Sequence, residues 1–127
     1  MNNPLKILMA DDEKELLDIM ASRVMKEGYA VIKAYDGEEA WEKIVKESPD
    51  VILLDLTMPK RDGLDVLKQL REKPPSTKWQ PVIIVSARGE LTDMQKSYAL
   101  EADHHIVKPC RIEDIMKALK LMIRLIP

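Results

Sequence analysis

Five short apolar runs alternate along the chain with five longer segments of helical period. The runs occupy residues 5–10, 30–34, 51–54, 81–85 and 105–107. Most are unbroken or nearly so, as expected for parallel strands covered on both faces; the second and fifth are weaker and are expected nearer the sheet edges. In the first helical segment Leu17, Met20 and Val24 fall on one stripe, and Gly28 supplies a C-terminal stop. Ala40, Trp41 and Ile44 form a second stripe, opened near Asp36 and ended before Pro49. Leu64, Leu67 and Leu70 follow Gly63, and Pro74-Pro75 closes that helix. Leu91, Met94 and Tyr98 mark a fourth helix; Ile112, Ile115, Met116 and Leu119 mark a fifth. Strand and helix alternating five times predict an α/β fold, with right-handed crossovers placing helices on both sides of the sheet. The longest loop, over 72–80, contains Pro-Pro and Trp79 and is expected to be a fixed connection rather than a hinge.

A length of 127 residues fits one domain, spanning 1–127, with no internal repeat or linker. Hydrophobic residues make up 46% and charged residues 33%, the composition of a globular protein rather than a disordered tail. A formal net charge of -2 gives no reason to expect nucleic acid or an anionic membrane as a direct partner. No apolar run approaches the ~20 residues needed to span a bilayer, and the N-terminus lacks a signal-peptide pattern. Cys110 is the only cysteine, so there is no internal disulfide. These features together predict a cytoplasmic protein.

The acidic residues then narrow the chemistry. In open α/β sheets, ligands bind outside the carboxyl ends of the strands. Asp11 and Asp12 follow the first strand, Asp55 the third, Ser86 the fourth and Lys108 the fifth. Taken singly each has an ordinary reading: an Asp-Asp pair caps helices, and a lone Asp or a Lys-Pro dipeptide closes a turn. The five together, at the same end of four strands, point instead to a joint site. Three neighbouring carboxylates resist ionisation unless a cation neutralises them. Magnesium suits hard oxygen ligands, and Asp55 can then serve as ligand and nucleophile through an aspartyl phosphate. Lys108 and the Ser86 hydroxyl would cover phosphoryl oxygens, and no histidine base is needed because a carboxylate is already deprotonated at neutral pH.

The segments Leu8-Met9-Ala10-Asp11-Asp12-Glu13, Ile52 through Asp62-Gly63 with its Asp55…Met58-Pro59, Val85-Ser86-Ala87 and Ala102-Asp103 through Lys108-Pro109 carry a resemblance. Over essentially the whole chain the sequence resembles the receiver domain of two-component response regulators, of the chemotaxis-regulator type. The resemblance implies a flavodoxin-like (βα)5 three-layer fold with a parallel sheet in order 2-1-3-4-5. It implies a phosphoacceptor, Asp55, served by a sensor histidine kinase or a histidine phosphotransfer protein. Asp12, Asp55 and the backbone carbonyl of Thr57 would hold Mg2+ directly, and Asp11 partly through water. Ser86 and Lys108 match the family's phosphate-sensing hydroxyl and lysine. The implied role is signalling, with self-phosphorylation from a donor and autodephosphorylation as the only chemistry.

Departures from the family pattern bear on the output. His105 stands where the family usually has a Tyr or Phe switch, so the balance of switch states is expected to depend on pH. Glu101 replaces a common glycine before Ala102-Asp103, and Cys110 a frequent Phe. Thr57, Ala87 and Arg88 are expected to border the water approach to the phosphate and tune its lifetime. The expected readout face is the fourth helix, fifth strand and fifth helix, about 90–126. No output module is expected within residues 1–127, so the expected downstream partner is either a separate protein or a fused domain. The apolar C-terminal helix also suits a phosphorylation-dependent homodimer. A haloacid-dehalogenase-type phosphohydrolase would need a second Asp two residues after the nucleophile, where Thr57 stands. A phosphorylation-independent binding module would not need all five site residues.

Overall fold

The computed structural model describes residues 3–87 and 91–127. Its order is β1 (Lys6–Ala10), α1 (Lys14–Lys26), β2 (Ala30–Ala34), α2 (Gly37–Glu47), β3 (Val51–Leu54), α3 (Gly63–Glu72), β4 (Val82–Ser86), α4 (Leu91–Ala99), β5 (His104–Val107) and α5 (Ile112–Leu125). All strands run parallel in the order β2-β1-β3-β4-β5, which is the flavodoxin-like arrangement and puts the two weaker apolar runs at the edges. The alternation within the central strands explains the layers. Ile7, Met9, Val51, Leu53, Ile83 and Val85 face α1 and α5, against Leu17, Val24, Ile115 and Leu119. Leu8, Ile52, Leu54, Val82 and Ile84 face the other way, against Ile44, Leu67 and Leu70 of α2 and α3. Both faces are dry, so unbroken apolar strands are what this sheet requires.

The helix boundaries follow local chemistry. Asp36 caps α2 by accepting from the Glu39 N–H at 2.8 Å, and Asp62 caps α3 by accepting from Leu64 N–H at 2.8 Å. Gly28, at φ +97°, turns the chain after α1 in a conformation that favours glycine. The connection after α3 is tied down at its far end, where the buried Gln80 amide donates to Pro49 O at 2.8 Å and Lys78 pairs with Asp50 at 2.7 Å. Among the described residues no helix is long and apolar enough to cross a membrane.

Two helical stripes differ from the sequence pattern. In α3 the buried positions are Val66, Leu67 and Leu70, with Leu64 only half-buried. In α4 Tyr98 is 46% exposed, and its neighbour Ser97 is the residue that turns inward. The Ser97 hydroxyl bridges Met94 O, at 2.9 Å, and His105 Nδ1, at 3.2 Å. A polar residue with two partners can occupy a core position that apolar periodicity alone would not assign to it.

Glu101 adopts the left-handed conformation, φ +66°, so the turn its glycine-lacking sequence put in question does form. Arg71 holds it from outside: Nε donates to Glu101 O at 3.1 Å, Nη1 to Gln80 O at 2.9 Å and Nη2 to Asp103 Oδ2 at 2.9 Å. Asp103 Oδ2 also accepts the Val82 N–H at 2.8 Å, joining α3, the start of β4 and the α4–β5 turn. Glu101→Gly should therefore stabilise the protein by about 1 kcal/mol by relieving left-handed strain. Arg71→Ala should destabilise it by about 2–3 kcal/mol by removing three hydrogen bonds. Urea denaturation midpoints check both signs.

Candidate functional site

The parallel register carries the ends of β1, β3, β4 and β5 to one rim, and backbone bonds continue the ladder one residue past the strands. Asp11 N–H donates to Ala34 O and Asp55 N–H to Ala10 O, each at 3.0 Å, and Lys108 N–H donates to Ser86 O at 2.9 Å. The side chains that follow from these anchors converge. Carboxylate oxygens of Asp11, Asp12 and Asp55 all lie within 4.8 Å of one another. Asp11 and Asp55 are buried while Asp12 is exposed. Lys108 Nζ reaches Asp11 Oδ2 at 2.5 Å and Asp55 Oδ2 at 3.2 Å, with Glu13 Oε1 at 3.8 Å.

The Asp-Asp pair does not cap α1, whose N-cap is Glu13 with no side-chain cap bond. Asp11 Oδ1 instead accepts the Glu13 N–H at 2.9 Å in the turn before the helix, while Oδ2 faces the lysine. Asp55 Oδ1 accepts the Thr57 N–H at 3.0 Å, which folds the following loop back over the carboxylate. Gly63 makes that fold possible. Its N–H donates to Leu56 O at 2.8 Å, and a Cβ there would overlap the Asp55 carbonyl oxygen and lie 2.8 Å from Leu56 Cα.

Electrostatically the rim is short of positive charge. Burial pushes the Asp55 carboxyl above its ordinary value, against the pull of Lys108 and the Thr57 N–H; Asp11 adds to the rise. Burial pushes Lys108 down, but its bond to Asp11 and the charge of Asp55 outweigh that and leave it raised. One ammonium faces three carboxylates, and Asp55, whose charge burial penalises most, still resists ionisation. Their oxygens are hard donors close enough together to share one cation, and the donor set fits a hard divalent ion such as magnesium.

The other described sequence-predicted residues lie in β4 and β5 and just beyond β3 and β4. Ser86 is fully buried at the end of β4. The pairing of Ile84 with His105 puts His105 on the same sheet face as Ser86. His105 is 7% exposed and sits inside, against Ser97 of α4. Thr57 and Ala87 are exposed at the rim. Arg88 lies outside the described residues. Sequence reasoning missed Ser97 and gave no role to Glu13; the only signal for Glu13 was its place directly after the aspartate pair. An open groove of about 380 Å³ adjoins the lysine, lined by Glu13, Leu16, Met20, Ala87, Lys108, Pro109 and Cys110.

The family model of the response regulator receiver domain matches residues 7–120. Among solved structures, a CheY-like response regulator receiver domain protein from Methanospirillum hungatei JF-1 is 27% identical, with a TM-score of 0.86 over 94% of this chain and 93% of that one. The receiver domain of the Francisella response regulator 1452 is 32% identical, with a TM-score of 0.85 over 94% and 96%. The BeF3-activated N-terminal receiver domain of Klebsiella pneumoniae RstA is 27% identical, with a TM-score of 0.84 over 94% and 98%. With its sheet order, its rim of aspartates and lysine, and a family match spanning nearly its whole length, the chain belongs to the response regulator receiver domain family.

Proposed function

We propose that the chain is a single phosphoacceptor domain, in which Asp55 takes a phosphoryl group from a sensor histidine kinase or histidine phosphotransfer protein in a magnesium-dependent reaction. The observation that carries this reading is the buried Asp55 carboxylate at the end of β3, with the Lys108 ammonium 3.2 Å away and Asp11 and Asp12 beside it. An Asp55 carboxylate oxygen attacks phosphorus as the bond from phosphorus to the donor's imidazole nitrogen breaks, and that nitrogen keeps the electron pair. Magnesium, bound by Asp11, Asp12, Asp55 and the Thr57 carbonyl, would supply positive charge to the transferred phosphoryl oxygens. Lys108 orients and neutralises a further oxygen, and the Ser86 hydroxyl donates to another. The groove beside Lys108 gives the donor an approach to the rim. Exposed Thr57 and Ala87 border the path of the hydrolytic water and tune the lifetime of the product.

On this reading the domain signals rather than turns over a substrate of its own, and it works in the cytoplasm without nucleic acid or membrane as a direct partner. The output leaves through α4, β5 and α5, where Tyr98, Val107 and Leu121 are exposed apolar residues. These suit a separate downstream protein, a fused output domain or a second copy formed on phosphorylation. Movement of Ser86 toward the phosphoryl group changes the space available to His105, which shares its face of the sheet.

Incubation with Mg2+ and acetyl phosphate should add one phosphoryl group to the intact protein by mass spectrometry, and Asp55→Asn should abolish the gain. An unmodified wild-type mass, with no response to beryllofluoride, would defeat the proposal. For the switch, Ser97→Ala removes the bond that holds His105 inside and should move its population outward by about fivefold, the equivalent of one net hydrogen bond of ~1 kcal/mol. The His105 ring resonances in NMR report that shift; if they stay unchanged, Ser97 has no part in it.

A further inference from the structure

The loop joining β3 to α3 is gripped from two sides, and only one grip belongs to its own strand and helix. The inner grip is Gly63 against the Asp55 carbonyl. The outer grip is the start of α2. There the Gly37 N–H donates to Pro59 O at 3.3 Å, and Lys60 Nζ lies 3.5 Å from Asp36 Oδ2. The Arg61 guanidinium stands 5.8 Å from the centroid of the Trp41 ring. The contact is closest at Gly37, where a Cβ would overlap the Arg61 carbonyl oxygen and Cβ and sit 2.6 Å from its carbonyl carbon.

Gly37 is otherwise a poor choice of residue. It is the first residue of α2, a helical position at which alanine is intrinsically better. The backbone it touches is itself held in an unfavourable form, since Lys60 is left-handed at φ +68°, a conformation that persists only when its surroundings enforce it. Glycine thus gives up helix propensity so that α2 can close on the 59–61 backbone.

The geometry points to Gly37 as a positioning residue for the acceptor site. By letting α2 seat on the 59–61 segment, it fixes the backbone two to four residues beyond Thr57. The Thr57 carbonyl is thereby held in register with the Asp55 carboxylate, to which the Thr57 N–H is already bonded. The inference rests on the proposed magnesium site. It adds that the outer grip, supplied by an element carrying no site residue, sets the affinity of that site.

Gly37→Ala forces either α2 or Arg61 to move, and it should weaken Mg2+ binding by about tenfold, the scale seen when groups that orient metal ligands are removed. Isothermal calorimetry of the folded protein with Mg2+ alone reads this directly. Phosphorylation by acetyl phosphate should recover at high Mg2+, because the fault lies in binding. Gly28→Ala is the control: its left-handed turn has nothing within 4 Å of an added Cβ, so it costs stability without touching the loop. That variant should keep wild-type affinity. If Gly37→Ala does not fold, Arg61→Gly loosens the same contact from the loop side, together with the Arg61 bonds to Asp65 O and Gln69 Oε1 of α3, and should weaken Mg2+ binding severalfold. Unchanged affinity in the folded Gly37→Ala protein, or in Arg61→Gly, overturns the positioning role while the site itself stands. Wild-type protein that fails to bind Mg2+, or binds it equally after Asp55→Asn, overturns the site and the inference with it.

Discussion

Repulsion among three carboxylates at one edge of a sheet is the constraint around which this molecule is built. One oxygen of each lies within 4.8 Å of the others, a separation at which two unit charges repel by about 3.5 kcal/mol at an effective dielectric constant near 20, and by less at exposed Asp12. Lys108, at 2.5 and 3.2 Å from Asp11 and Asp55, attracts each by about 5–7 kcal/mol on the same scale. The opposing contributions nearly cancel, and desolvation then decides the sign. That is why the Asp55 carboxyl stays reluctant to ionise beside a lysine. Loops free to move would relax such a cluster by separating. Here the anchors are ladder bonds that continue β1, β3 and β5, so the charge imbalance is kept until a proton or a cation relieves it.

The stiffness that keeps it comes from a sheet dry on both faces. Residues in the middle of β1, β3 and β4 have no exposed surface or almost none, and any shift of one strand against the next would open a cavity against a helix. The geometry of the rim is thus inherited from the packed apolar core beneath it. The loop after Asp55 inherits it less directly, and two glycines from two different helices hold what the ladder cannot reach.

This division also explains what the sequence made legible. Strands buried on both faces read as apolar runs, edge strands as weaker ones, and each site residue followed a run directly. Asp11, Asp55, Ser86 and Lys108 could therefore be placed on one rim before any coordinates were known. Ser97 could not, because helical periodicity is read from apolar residues and Tyr98 beside it offered the apolar candidate. Arg71 was invisible for another reason: its partners Gln80, Glu101 and Asp103 lie far along the chain and belong to no periodic pattern. Gly37 reads locally as a weak helix start; only the approach of Arg61, from another loop, gives it a purpose.

The same contrast between apolar and polar contacts bears on which side of the rim can move. α3 is seated by Val66, Leu67 and Leu70, each fully or almost fully buried, and displacing such side chains costs about 1.5–3 kcal/mol apiece. Among the described side chains of α4 the only buried one is Ser97, joined to His105 by a bond worth about 1 kcal/mol net. A hydrogen bond can be exchanged for one to water, whereas a dispersed apolar contact has no such substitute. On the proposed function, a phosphoryl group on Asp55 would add a fixed local charge, and the strain it generates would be taken up where resistance is least. On the proposed reading that place would be α4 and β5, through the histidine that stands on Ser86's face of the sheet, rather than the doubly gripped loop leading to α3.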